Sequence, residues 1–96
     1  MRYDWNQRKA NLNFKKHGVS FELATTVFDD PHHLSSVDGL SSIGKERWAT
    51  IGFAADKKSL VVIHTYATVI HGEEVIPIIS ARKATRREKR QYEEGI

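Results

Sequence analysis

Six bases crowd the end of this chain, Arg82, Lys83, Arg86, Arg87, Lys89 and Arg90, within "ISARKATRREKRQYEE". They follow directly on an apolar, strand-like run, "VIPIIS". A cluster of this kind can hold a polyanion, or it can be the solvated outer face of a helix. Arg82 is the first candidate, because a strand end aims a side chain firmly. A helix starting at Thr85 would also present anion-favouring N–H groups nearby. Its competing role is an ion pair with Glu88. Arg47 comes second, since it interrupts an otherwise apolar strand face beside Glu46. The alternative for Arg47 is an edge charge that opposes aggregation. Arg86 and Arg90 lie one helical turn apart and can extend a backbone-binding track. Lys83, Arg87 and Lys89 read as solvating charges.

For proton transfer the chain offers histidines of unequal promise. His64 shares a strand face with Tyr66, and histidine exchanges protons in the useful range. A strand histidine can equally be a satisfied packing residue. Lys16 and His17 close a predicted helix, where cations meet the helix dipole favourably, so capping competes with anion contact. His32 and His33 sit in a predicted loop without the spacing of a metal site. No metal and no cofactor are expected. Trp5, Trp48 and Phe53 could stack on bases, but their periodic positions read first as core.

The elements that must position these residues fit one domain spanning residues 1–96 of a 96-residue chain. Fifteen bases against twelve acids give a net charge of only +3, yet the bases gather from Arg8 to Lys16 and from Arg82 to Arg90. There is no cysteine, which excludes disulfides and thiolate chemistry. The longest apolar run, "LVVI", is far too short to span a membrane, and "MRYDWNQRKA" lacks a secretory signal's apolar stretch. These features lead us to expect a cytoplasmic protein with no membrane partner.

Asp4 can cap a helix over "WNQRKANLNFKKH", with Gly18 just past its end. Ser20 can cap a shorter helix whose face carries Phe21, Ala24, Thr25 and Phe28, closed by "DDP". The period then changes to two in "ERWATIGFA" and "LVVIHTYA", joined by the polar turn "ADKKS". "VIPIISAR" gives a further strand, "HHLSSV" a short edge strand, and Thr85 with Glu88 a capping box for the last helix. Short polar connections imply antiparallel pairing. The expected fold is α+β: two N-terminal helices, an antiparallel sheet of three to four strands, and a C-terminal helix. Trp5, Leu12, Phe21, Ala24 and Phe28 should pack the helices against one sheet face.

"KHGVSFELATTVFDDP", "ERWATIGFA" and "IISARKATRREKRQYEE", in that order, resemble the BrnT family of bacterial type II toxins over nearly the whole chain. The resemblance implies a RelE-like fold and growth arrest through RNA cleavage. It also implies neutralisation by a BrnA-like antitoxin, with operator DNA met only through the complex. Under that reading Arg82, Arg47 and His64 are the catalytic candidates, and Arg86, Arg90, Lys16 and His17 the RNA-binding ones. Cleaving RNA without a metal needs a base for the 2′-OH proton, cations for the charge on phosphate, and an acid for the leaving oxygen. One position departs from the family pattern, which usually has a base before "IISAR" where this chain has Pro77. Proline removes a ladder donor and a charge together, which points to weakened activity. The alternative function is a noncatalytic regulator that binds nucleic acid or antitoxin.

Overall fold

In the computed structural model, which describes residues 1–40 and 46–95, the chain opens with a strand rather than a helix. β1 (Arg2–Asp4) is followed by α1 (Gln7–His17), α2 (Phe21–Thr25) and a 3-10 turn (Thr26–Asp29). Five strands come next: β2 (Leu34–Leu40), β3 (Glu46–Phe53), β4 (Ser59–His64), β5 (Thr68–Ile70) and β6 (Glu73–Lys83). α3 (Arg86–Glu94) closes the chain. The strands lie in the order β1-β6-β4-β3-β2, with β5 also on β6. The expected antiparallel sheet of three to four strands is thus a mixed sheet of six. Its central pairs are antiparallel, but β1 runs parallel to β6 with Asp4 opposite Pro77.

This early strand explains why Asp4 does not cap α1. Its backbone is held in the sheet, and Asn6 takes the cap instead, accepting from the Lys9 N–H at 3.1 Å. At the other end Gly18 turns left-handed, φ 70°, and its N–H reaches the Phe14 carbonyl, a conformation glycine adopts at little cost. α1 buries Ala10 and Asn13, while Leu12 points to solvent rather than into the core. Asn13 acts as a surrogate strand. Its amide nitrogen donates to the carbonyls of Ala81 (2.9 Å) and Val19 (3.0 Å), and its oxygen accepts from the Ala81 N–H (3.2 Å). It thereby satisfies the edge of β6 beyond the point where β1 has ended.

The helices cover one face of the sheet. Phe21, Ala24 and Val27 are fully buried there against Leu60, Val62, Ile76, Ile78 and Ala81, with Trp5 and Phe28 packed at the border. Strand alternation alone cannot place Ile76, Ile78 and Ala81 on one face. A bulge permits it: Ile63 pairs with Ser80 but His64 with Ile78, so Ile79 is the extra residue. The same bulge brings Pro77 and Arg82 to the opposite face.

Pro77 lies in a central strand, not at an edge. It sits where β6 changes partner, from β5 at Val75 to β4 at Ile78. The Thr65 N–H still donates to the Pro77 carbonyl at 3.2 Å. In a regular antiparallel pair the return bond would run from residue 77 to the Thr65 carbonyl, and proline cannot make it. His64 Nδ1 approaches that carbonyl at 3.1 Å and supplies the missing donor.

Candidate functional site

Arg82 is held by Glu88. Its two terminal nitrogens meet the two carboxylate oxygens at 2.8 and 2.9 Å, a fork-to-fork pair, and Nη1 also reaches the Lys83 carbonyl. Glu88 is at the same time the acidic member of the capping box. It accepts from the Thr85 N–H at 2.8 Å while its own N–H is accepted by the Thr85 hydroxyl. The Arg82 hydrogen bonds lower the Glu88 pKa to about 2; partial burial opposes this, and the Thr85 N–H assists. Arg82 is raised in turn, first by the same hydrogen bonds. The first-choice phosphate ligand is therefore a clamp that fixes the start of α3 against the end of β6.

The three catalytic candidates do not converge. Trp48 pairs with His64, so Arg47 and His64 point to opposite faces, and Val61 opposite Arg82 puts Arg82 on the Arg47 face. Arg47 and the row containing Arg82 are four residues apart along the strands, about 13 Å at the usual rise. Arg47 is half-buried, and among the described residues its buried Nε has no hydrogen-bond partner. Beside it, the Tyr66 hydroxyl donates to Glu46 and its ring meets Trp48 edge to face.

His64 is buried under the helices, 5.1 Å from the Phe28 ring. Because a carbonyl only accepts, Nδ1 carries the proton toward Thr65, and Nε2 must accept from the Thr50 hydroxyl at 2.7 Å. Thr50 then accepts from the Ser35 hydroxyl, also at 2.7 Å. Burial lowers the His64 pKa, the Thr65 carbonyl acts against this, and His33 adds to the lowering. Both ring nitrogens are thus hydrogen-bonded, and Nδ1 fills the donor gap that Pro77 leaves.

Of the remaining candidates, Arg86 and Arg90 are exposed on α3, and Lys16 is exposed with His17 half-buried in the last turn of α1. Among the described residues no cluster of His, Cys, Asp or Glu could hold a metal ion, and no helix is long and apolar enough to cross a membrane.

A second constellation, whose carboxylate and Tyr92 had no place among the candidates, gathers around Asp30. Its Oδ2 accepts from the Phe53 N–H (2.8 Å) and the Tyr92 hydroxyl (2.5 Å), and its Oδ1 from the His32 N–H (2.9 Å). Burial would raise the Asp30 pKa, but these bonds outweigh it and the net displacement is downward. Tyr92 is pushed up to about 12, by burial first and then by Asp30. One carboxylate thus ties the 3-10 turn to β3 and α3. Gly52 makes the approach possible, because a Cβ there would lie 3.1 Å from Asp30 Oδ2 and 3.2 Å from His33 Cβ. "FDDP" carried a signal for this, since Asp before Pro commonly bonds backbone two residues on. Nothing local marked its distant partners.

Beside that hub a groove of about 550 Å³ opens between His32, His33, Phe53, Tyr92 and Glu93. It adjoins a second hollow of about 440 Å³ bounded by Phe53, Glu93, Lys57, Lys58, Lys83 and Lys89.

Comparison with known proteins agrees with this architecture. The 1.1 Å crystal structure of the Brucella abortus ribonuclease toxin BrnT superimposes with a TM-score of 0.59 at 23% identity, covering 90% of this chain and 99% of that one. No curated protein sequence matches. The family described as the ribonuclease toxin, BrnT, of type II toxin-antitoxin systems matches residues 5–88. That stretch runs from the border of the core through the Asp30 hub to the Arg82–Glu88 clamp, so the match takes in the framework of the fold, and the chain belongs to the BrnT ribonuclease toxins.

Proposed function

We propose that this chain is a metal-independent endoribonuclease that arrests growth by cleaving RNA in the cytoplasm and is silenced by a BrnA-like antitoxin. The observation that carries the reading is the family match over residues 5–88. Exposed bases on and beside α3 support it, since among the described residues Arg86, Arg90 and Lys89 are in no ion pair that a polyanion would have to displace. Arg82 serves these contacts indirectly by fixing α3. The antitoxin covers the same basic surface around Arg86 and Arg90, and operator DNA is bound only through the toxin–antitoxin complex. Pro77 attenuates the activity by removing the family's usual base. Induction in a host with and without the antitoxin tests the proposal. Growth arrest with RNA fragmentation is expected without it, and neither with it.

One observation favours a second reading, a noncatalytic partner-binding regulator: Arg82, Arg47 and His64 are not brought to one site. Intact RNA during growth arrest, or no arrest at all, would establish that reading instead.

A further inference from the structure

We propose that the two adjoining hollows beside α3 form one RNA groove, with lysines at one end holding phosphate and His33 at the other acting as the catalytic base. The inference rests on the ribonuclease reading and assigns it a site that neither Arg82 nor His64 supplies.

His33 has the features that His64 lacks. Its Nδ1 lies 2.7 Å from the Asp30 carbonyl, which can only accept, so Nδ1 bears the proton and Nε2 is left as an exposed lone pair. The ring is also fixed in place. Phe28 meets it edge to face at 6.1 Å, and its Cβ is seated over Gly52. A histidine whose tautomer is set by a backbone carbonyl, and whose second nitrogen has no hydrogen-bond partner among the described residues, is prepared to accept a proton. His32 lines the same groove, its backbone anchored to Asp30.

At the other end Lys57, Lys58, Lys83 and Lys89 face one hollow, and Phe53, 48% exposed, stands on the divide between the two. Cations interleaved with an exposed aromatic ring suit a single strand, whose phosphates are held while a base stacks. Lys57 adds an independent sign. It adopts φ 68° in the turn between β3 and β4, a left-handed conformation that a non-glycine residue holds only with strain. The turn keeps a lysine where glycine would fit better. Glu93 lies at the divide, where it repels phosphate toward the lysines and can accept from a sugar hydroxyl.

The chemistry balances without a further reactant. His33 Nε2 takes the 2′-OH proton and the 2′-oxygen attacks phosphorus. The bond from phosphorus to the 5′-oxygen breaks, its electron pair stays on that oxygen, and a proton from solvent water completes the 5′-hydroxyl while the His33 imidazolium returns its proton to solvent. The products are a 2′,3′-cyclic phosphate and a 5′-hydroxyl.

The test uses the purified full chain, a labelled single-stranded RNA for cleavage, and its 2′-methoxy analogue, which cannot be cleaved, for binding. His33→Asn keeps a donor near the Nδ1 position but deletes Nε2. Cleavage should fall roughly 10²- to 10⁴-fold with analogue binding unchanged. Lys57→Gly relieves the strained turn, so it folds, yet it should weaken analogue binding and flatten the salt dependence by about one unit of slope. The groove is overturned if Lys57→Gly and Lys89→Gln bind the analogue as the wild type does. The role of His33 is overturned if His33→Asn cleaves normally. A wild-type chain that binds the analogue in this groove but never cleaves RNA refutes the ribonuclease reading and the base role while leaving the binding site established.

Discussion

Replacing Arg82 with alanine separates a catalytic arginine from one that fixes a helix. Glu88 at about 2 instead of its ordinary 4.5 corresponds to at most roughly 3.4 kcal/mol, 2.5 pH units at 1.36 kcal/mol each. The pair is not deep, with side-chain exposures of 36% and 25%, so screening by solvent reduces this to about 1–2 kcal/mol. The sign follows from the depressed carboxylate. Its contribution is complete above pH 4.5 and is lost as the pH falls from there toward about 2. Urea unfolding of Arg82→Ala, Glu88→Gln and the double variant at pH 7 should give two similar losses that do not add, because both remove one interaction. RNA cleavage should drop alike in both single variants, through a loosened α3. The clamp role of Arg82 is refuted if Arg82→Ala leaves stability intact and cuts cleavage 10²- to 10³-fold, the loss of a transition-state donor, while Glu88→Gln cleaves normally.

Asn13→Ala strands the N–H and carbonyl of Ala81 and the carbonyl of Val19, all in buried surroundings, and should cost about 3 kcal/mol by denaturant melting. For His64 the buried imidazole resists protonation, so between its lowered value and the ordinary 6.5 the unfolded chain binds more protons. Stability should therefore be complete above about pH 6.5 and decline as the pH falls below it. His64→Gln should show a smaller loss than the wild type between pH 7.5 and 5.5. Pro77→Arg restores an N–H able to donate to the Thr65 carbonyl, so the His64 tautomer should shift, visible in its ¹⁵N ring resonances, and toxicity on induction should rise.

What the sequence disclosed was what neighbouring residues decide. The Thr85–Glu88 capping box, the Gly18 stop and the antiparallel β3–β4 hairpin depend on contacts a few residues apart, and their patterns could be read directly. β1 could not, because three residues become a strand only by lying against β6 at the far end of the chain. The Ile79 bulge was hidden for a similar reason: it reverses the faces of β6, and only the pairing with β4 reveals it. Asn13 did leave a trace, since it follows Ala10 at helical spacing and so belongs to the buried face, but its partner Ala81 did not. Arg82 and His64 stood out by residue type, yet type does not say what a polar group already bonds: the Arg82 terminal nitrogens meet Glu88, and both His64 nitrogens have partners. His33 looked like a loop residue until Asp30 and Gly52 gave it a fixed orientation.

Metal-independent cleavage is read out by incubating the purified chain with a defined RNA in the presence of a chelator and identifying the product ends by mass spectrometry. Discrete fragments ending in 2′,3′-cyclic phosphate and 5′-hydroxyl are expected, formed equally with and without chelator and abolished by stoichiometric antitoxin. RNA left intact, or cleavage that disappears when the chelator is added, would contradict it.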